Sequence, residues 1–312
     1  SLKFELLRLS EKGEIVNLTN TQGIREISPV WSPDGKQIAF FSDETGEYEL
    51  YLLENKEGAK PRQITKGSSA WKNSAEWSPK STHLIYSDRT LALWLVDVLT
   101  GMEKKIDTAS GEEIRDYTFS PDGDWIAYSK SSPNYQSALW LYQVSTDKKY
   151  QITDAVFSDG NPFFSTDGKF LFFLSNRDFN LTFSSYEFDY LYNNATRIYA
   201  IPLLNYGSRL NYYEKDVEPN GTDVSSANEF KEKNNKDVKV RIDIEGIQNR
   251  IEVLPMASGN YNIIGTSEEG LLFSSGNKIF RFNIKEKKVE DILECAGFAI
   301  LSADGKSFIY IN

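Results

Sequence analysis

The stretch Ser28-Pro29-Val30-Trp31-Ser32-Pro33-Asp34-Gly35-Lys36-Gln37-Ile38-Ala39-Phe40-Phe41 decides the fold. It reads as a short strand ending on an aromatic, a Ser-Pro-Asp-Gly turn, and a second strand that is apolar throughout. Proline presets φ at the second turn position, Asp bonds locally, and Gly accepts the left-handed conformation. The tetrapeptide recurs as Ser78-Pro79-Lys80-Ser81, Ser120-Pro121-Asp122-Gly123, Ser165-Thr166-Asp167-Gly168 and Ser302-Ala303-Asp304-Gly305, with the first four 46, 42 and 45 residues apart. A second marker keeps step with it. Asn17-Leu18-Thr19, Gln63-Ile64-Thr65, Lys105-Ile106-Asp107 and Gln151-Ile152-Thr153 follow at intervals of 46, 42 and 46. Two markers in register, at a period of about 40–50 residues with strands inside each repeat, are the pattern of β-propeller blades.

Each repeat parses into four strands. Strand A ends at the turn and strand B follows it. Strand C is Tyr48–Leu53, Leu93–Val96, Leu139–Tyr142 or Ile198–Ile201, and the short Gln-Ile-Thr segment is strand D. Apolar runs in B and C suit strands covered on both faces. Complete blades are expected over about 28–65, 74–107, 116–153 and 250–294. Another starts near Asn161 and is interrupted after Pro202 by a polar insertion, about 205–239, that reads as a mobile loop. Its strand D is expected at Val240–Ile244. Residues 4–19 hold only C and D, and residues 297–312 only A and B, so the two ends are expected to complete one composite blade. The expectation is an all-β chain, 1–312 as a single six-bladed propeller with five complete blades and one composite.

Composition narrows the function. The net charge of −10, from 35 basic and 45 acidic residues, disfavours nucleic acid, whose phosphates demand a basic face. No apolar run is long enough to span a bilayer, so no membrane insertion is expected. One His, His83, and one Cys, Cys295, argue against a zinc site and a Ser/His/Asp centre. His83 reads as a solvent-exposed turn residue and Cys295 as a small buried hydrophobe. No EF-hand spacing, phosphate loop or distinguishable carboxylate pair occurs, so no cofactor or metal and no catalytic residue is expected. The sequons at Asn17, Asn180, Asn194 and Asn220 are at the frequency an Asn-rich chain gives by chance. The compartment stays open between cytoplasm and periplasm.

The run Asn17–Glu26 with Ser28–Gly35 and Tyr48–Tyr51 resembles the propeller of tricorn-type serine proteases, as do Ile114–Asp122, Phe172–Asn180 and Ile244–Ile251. The resemblance covers nearly the whole chain. It implies a non-catalytic propeller that admits or guides peptides toward a catalytic core with a PDZ-like module, both outside residues 1–312, in a parent that is a serine peptidase. It also implies association with those domains, a seven-bladed parent propeller and an oligomer formed through the parent. A free-standing TolB-like propeller that binds protein partners is the alternative.

Propeller geometry supplies the candidate site. With the A–B turns on one face, the D–A and B–C connections gather on the other, near the channel mouth. The D–A connections contribute Arg25, Glu26, Lys72, Arg115, Asp116 and Asp159, and the B–C connections Asp43, Glu44, Asp88, Arg89, Arg177 and Asp178. Nine of these, namely Arg25, Glu26, Asp43, Arg89, Arg115, Asp116, Asp159, Arg177 and Asp178, are the expected peptide-binding set. Mixed charges there can hold a peptide terminus or steer an extended chain. The competing reading makes them solvated loop charges and inter-blade ion pairs. The aromatic stretch Phe179–Tyr192 is expected to pack between blades.

Overall fold

A computed structural model describes residues 5–9, 13–67, 70–178, 181–184, 189–192, 195–206, 210, 238–294, 299–302 and 304–310. Among the described residues, five four-stranded antiparallel sheets follow one another along the chain, each with its strands hydrogen-bonded in sequence order. Blade I comprises Glu26–Trp31, Gln37–Ser42, Glu49–Glu54 and Arg62–Gln63. Blade II comprises Glu76–Trp77, His83–Ser87, Ala92–Asp97 and Glu103–Thr108. Blade III comprises Tyr117–Phe119, Trp125–Ser131, Ser137–Gln143 and Lys148–Gln151. Blade IV takes Asp159–Phe164, Phe170–Ser175, Arg197–Pro202 and Glu252–Val253. Blade V takes Asn262–Ser267, Gly270–Ser275, Lys278–Asn283 and Lys288–Glu294. Two-stranded pairs stand at the ends, Leu7–Leu9 with Ile15–Asn17 and Ala299–Leu301 with Phe308–Tyr310. The chain divides into two compact units, Ser1–Pro162 and Phe163–Asn312, with the boundary inside the first strand of blade IV.

Both repeat markers have a physical cause. In the Ser-Pro-Asp-Gly turn, Ser32 Oγ donates to Asp34 Oδ1 (2.7 Å) and accepts from the Gln37 amide (2.9 Å), while Asp34 Oδ1 accepts the Lys36 amide (3.1 Å). The same triangle forms around Ser120, Ser165 and Ser302. Gly35, Gly123, Gly168 and Gly305 close these turns at positive φ. In blade II, Ser81 takes that position at φ 56°. The Thr of the second marker caps the next inner strand, where the last rung of the ladder would otherwise leave an amide unpaired. Thr65 Oγ1 accepts from the Leu50 amide and Thr153 Oγ1 from the Leu139 amide, each at 2.9 Å. Asp107, which replaces Thr in blade II, reaches across to blade III and accepts from Tyr128 Oη, Lys130 Nζ and Lys149 Nζ. Burial pushes its carboxyl up, and those hydrogen bonds outweigh burial and hold it below the ordinary carboxylate value.

Within the first unit, apolar strands of neighbouring blades interlock. Phe41, Leu50 and Leu52 of blade I pack with Trp77, Leu84 and Val96 of blade II. Ile85, Leu93 and Leu95 then pack with Phe119, Ile126 and Tyr128 of blade III. In the second unit Phe170, Phe172 and Ile198 of blade IV meet Leu271, Phe273 and Phe282 of blade V.

Blade IV departs from expectation. Val240–Ile244 is not its outer strand; Glu252–Val253 is, and blade V begins only at Asn262. The segment from Val238 to Asp243 instead lies beside the Gly168 turn and Leu203, whose carbonyl accepts from the Asp243 amide (2.9 Å). Val240 packs over the Gly168 turn, where an added Cβ would lie 2.7 Å from Val240 Cγ2. Arg250 then completes the truncated edge, donating Nε to Pro202 O (2.9 Å) and its other nitrogens to Leu203, Asp243 and Glu245 carbonyls. A guanidinium thus replaces ladder partners that the strand pattern had assigned to backbone. The hairpin Leu181–Ser184 with Asp189–Tyr192 is an addition inside the B–C connection of blade IV. Most of the insertion, Cys295, and the side chains of the 179–192 aromatics lie outside the described residues.

Candidate functional site

In the first unit, four connections across three consecutive blades build a polar strip. Tyr48 immediately precedes the third strand of blade I, Trp71 precedes blade II, Arg89 sits in the B–C hairpin of blade II, and Glu113 and Arg115 precede blade III. The Trp71 ring packs against Tyr48 (4.6 Å between centroids), and the Arg89 guanidinium lies 5.6 Å from the Trp71 centroid. The Arg89 amide donates to Trp71 O (3.0 Å), which locks the two loops together. Glu113 is the hub. It accepts from Arg115 Nη2 (3.1 Å) and Asn73 Nδ2 (3.2 Å), with Arg89 Nε 3.8 Å away. Arg89 and Arg115 keep 69% and 75% of their side chains exposed, against 15% for Glu113. Two guanidiniums therefore share one carboxylate.

Beneath the strip lies a buried ion pair that sets its height. Lys72 Nζ donates to Glu49 Oε2 (3.1 Å) and Tyr48 O (2.8 Å), with both side chains almost fully buried. Thr65 Oγ1 also donates to Glu49. The Tyr48 hydroxyl is buried without a hydrogen-bond partner, and burial raises its pKa, with Arg25 opposing and Asp43 adding to the shift. Asp88 Oδ1 accepts from the Thr90 amide and hydroxyl, and Asp88 Oδ2 from Trp94 Nε1 (2.8 Å), fixing the hairpin that presents Arg89.

The other expected residues divide by burial. Arg25 and Asp43 join in a loop clasp, the Arg25 amide donating to Asp43 Oδ1 (2.8 Å). Glu26 is buried and accepts from the Leu6 amide (2.9 Å), Thr19 Oγ1 and Thr21 Oγ1, so it ties the N-terminal pair to blade I. Asp116 Oδ2 accepts from the Asn161 amide (3.0 Å) and Ser129 Oγ (3.2 Å); a Cβ at Gly160 would come within 3.1 Å of that oxygen. Asp159 is buried at the start of blade IV. In the second unit, Arg177 lies against Phe173 and Tyr199, its guanidinium 5.4 and 5.1 Å from their centroids, and Asp178 pairs with Arg197 (2.8 Å). The structure thus gathers Arg89 and Arg115 on one surface and gives Glu26 and Asp116 to seams between strands. Trp71 and Glu113, which complete the strip, were not among the expected set; Trp71 is visible in sequence as an aromatic beside a predicted D–A charge. His83 opens the second strand of blade II, with Thr82 Oγ1 2.9 Å from Nδ1 and Asp97 Oδ2 3.7 Å from Nε2.

Four-stranded antiparallel sheets repeated with this marker pair define a β-propeller module. Residues 7–312 match the family described as the tricorn protease second beta propeller domain, and the chain belongs to that family. It is 29% identical over 301 residues to a tricorn protease of Thermoplasma volcanium, covering 89% of this chain and 26% of that protein. It is 23% identical to tricorn protease homolog 1 of Streptomyces coelicolor, covering 93% of this chain and 29% of that protein. The chain therefore spans little more than a quarter of the length of these relatives. The crystal structure of the tricorn protease superposes with a TM-score of 0.76 at 17% identity, over 95% of this chain and 29% of that one. An oligogalacturonate lyase from Vibrio parahaemolyticus shares the fold at a TM-score of 0.62 and 13% identity.

Proposed function

We propose that this propeller receives polypeptide segments for a protease elsewhere in its parent chain, the strip at Trp71, Arg89 and Arg115 being the receiving surface. The carrying observation is the exposure of two arginines and an indole from loops of adjacent blades, on a base fixed by the Lys72–Glu49 pair. Loops on a rigid scaffold are where binding surfaces are usually built, and this base is rigid. The membership in a propeller family of proteases supports a peptide as the ligand and protease and PDZ-like domains of the same parent as neighbours. Association through an oligomeric parent belongs to the same reading. Peptide passage along the face also explains why side chains with a charge and an aromatic plane, and no nucleophile–base pair, form the strip. The test is binding of a fluorescent unfolded polypeptide, carboxymethylated casein, to the isolated chain. Saturable binding that Trp71→Ala weakens supports the reading, and no binding at any concentration overturns it.

A further inference from the structure

We infer that the strip selects carboxylate-bearing peptide segments, with an apolar or aromatic peptide residue laid on Trp71 and a carboxylate drawn between Arg89 and Arg115. This deepens the peptide-receiving reading and rests on it. Three observations carry it. First, both guanidiniums are exposed and share Glu113, so their five-donor forks are only partly used. A planar guanidinium pairs with a carboxylate through two parallel hydrogen bonds, which an ammonium cannot match. Second, the Arg89–Glu113 contact is long, at 3.8 Å, and exposed at the arginine end. Exposed pairs of that kind contribute little, so an incoming carboxylate displaces Glu113 from Arg89 at little cost. Third, Trp71 lies between Tyr48 and Arg89 with 38% of its surface exposed, which leaves an aromatic patch beside the cations. Aromatic and arginine side chains together are what dominate peptide-interface energetics. Asp88 and Asp116, next in sequence to the arginines, take these hydrogen bonds from neutral donors, which leaves the guanidinium forks to Glu113 and the ligand.

The experiment compares three labelled peptides of about ten residues by fluorescence polarisation at low ionic strength with the whole chain. One is acetylated and amidated and carries a central Trp-Glu-Glu; the second replaces Glu-Glu by Gln-Gln; the third is the Gln-Gln peptide with a free C-terminal carboxylate. The expected result is about tenfold tighter binding of the acidic peptide than the neutral one. Arg89→Ala and Arg115→Ala should each remove most of that preference, weakening the acidic peptide several-fold more than the neutral one. Glu113→Gln should strengthen binding of the acidic peptide, because it removes the competing carboxylate; a merely structural role for Glu113 would weaken it or change nothing. Thermal melting of each variant checks that the fold is retained. If the first and third peptides bind equally tightly, either source of carboxylate is accepted; if only the third binds tightly it is a chain terminus, and if only the first does it is a side chain. Equal binding of all three peptides, unchanged by either arginine substitution, overturns the selection while leaving the peptide-receiving reading intact. Absence of binding to all three overturns both.

Discussion

At the scale of single residues, a buried carboxylate and a half-buried one show how charge is handled inside the blades. Glu49 is neutralised by Lys72, and removing one partner strands the other away from water. Lys72→Met should therefore cost about 3–5 kcal/mol in chemical denaturation, whereas Lys72→Met with Glu49→Gln should recover much of the loss. Among the described residues no cation pairs with Glu76. It sits in the seam between the innermost strands of blades II and III, where its Oε1 accepts from Thr118 Oγ1 (2.9 Å) and the Phe119 amide (3.1 Å). Burial pushes its carboxyl up to about 7 from an ordinary 4.5, against the pull of those two hydrogen bonds. Below pH 4.5 both folded and unfolded chains hold the proton. Between 4.5 and 7 only the folded chain does, so stability falls as pH rises through that window and levels off above it. Glu76→Gln keeps an acceptor for Phe119 and removes the charge. It should stabilise the chain by on the order of 2 kcal/mol above pH 7, and the gain should vanish near pH 4.5 in melts at a series of pH values. A gain that does not change with pH would assign the effect to packing. Neither role was legible in sequence, because burial of an acid depends on what the next blade places over it.

At the scale of elements, legibility follows how local the determinants are. The A–B hairpins were readable because Ser, Asp and Gly of one tetrapeptide make all the bonds that close the turn. The outer strands were readable through a threonine that caps the adjacent strand from a fixed distance in sequence. Blade IV was misread at its edge because its completion is long-range: Arg250 returns, across an insertion, to carbonyls at 202 and 203. An apolar alternation at 240–244 imitates a strand, yet what it buries is Val240 on the Gly168 turn. Arg250→Ala should take the side-chain donor from Pro202 O, while Leu203 O keeps the Asp243 amide, and destabilise the second unit by about 2–3 kcal/mol, with Arg250→Lys rescuing little because one ammonium cannot reach all the oxygens. The deviant turn of blade II offers the opposite change. Ser81 holds φ 56° and buries a hydroxyl without a partner, so Lys80→Asp with Ser81→Gly rebuilds the tetrapeptide of the other blades. That double substitution should raise stability by about 1–2 kcal/mol in denaturant titration.

At the scale of the whole molecule, the ends of the chain carry more than their length suggests. The N-terminal pair is only two short strands, and an isolated hairpin of that size is marginal in water. It persists because it is built into blade I. Leu6 joins Ile38, Phe40, Tyr51 and Leu53 in one buried cluster, with Leu18 against its side. Glu26 binds the same segment through the Leu6 amide and Thr19. The C-terminal pair does likewise for blade V, where Leu301 and Phe308 cover Leu272 and Ile279. Deleting residues 1–19 would uncover the outer face of blade I and leave the Glu26 carboxylate without its Leu6 and Thr19 donors. Loss of the Leu6 contacts and of those hydrogen bonds together costs several kcal/mol, a large share of what a domain has to spare. The truncated chain should therefore melt at least about 10 °C lower in a single transition. Glu26→Gln in the truncated chain should restore part of the loss, since a neutral amide is cheaper to bury than an unpaired carboxylate. An unchanged midpoint, or loss of ellipticity confined to the first strands, would show that blade I closes without the segment.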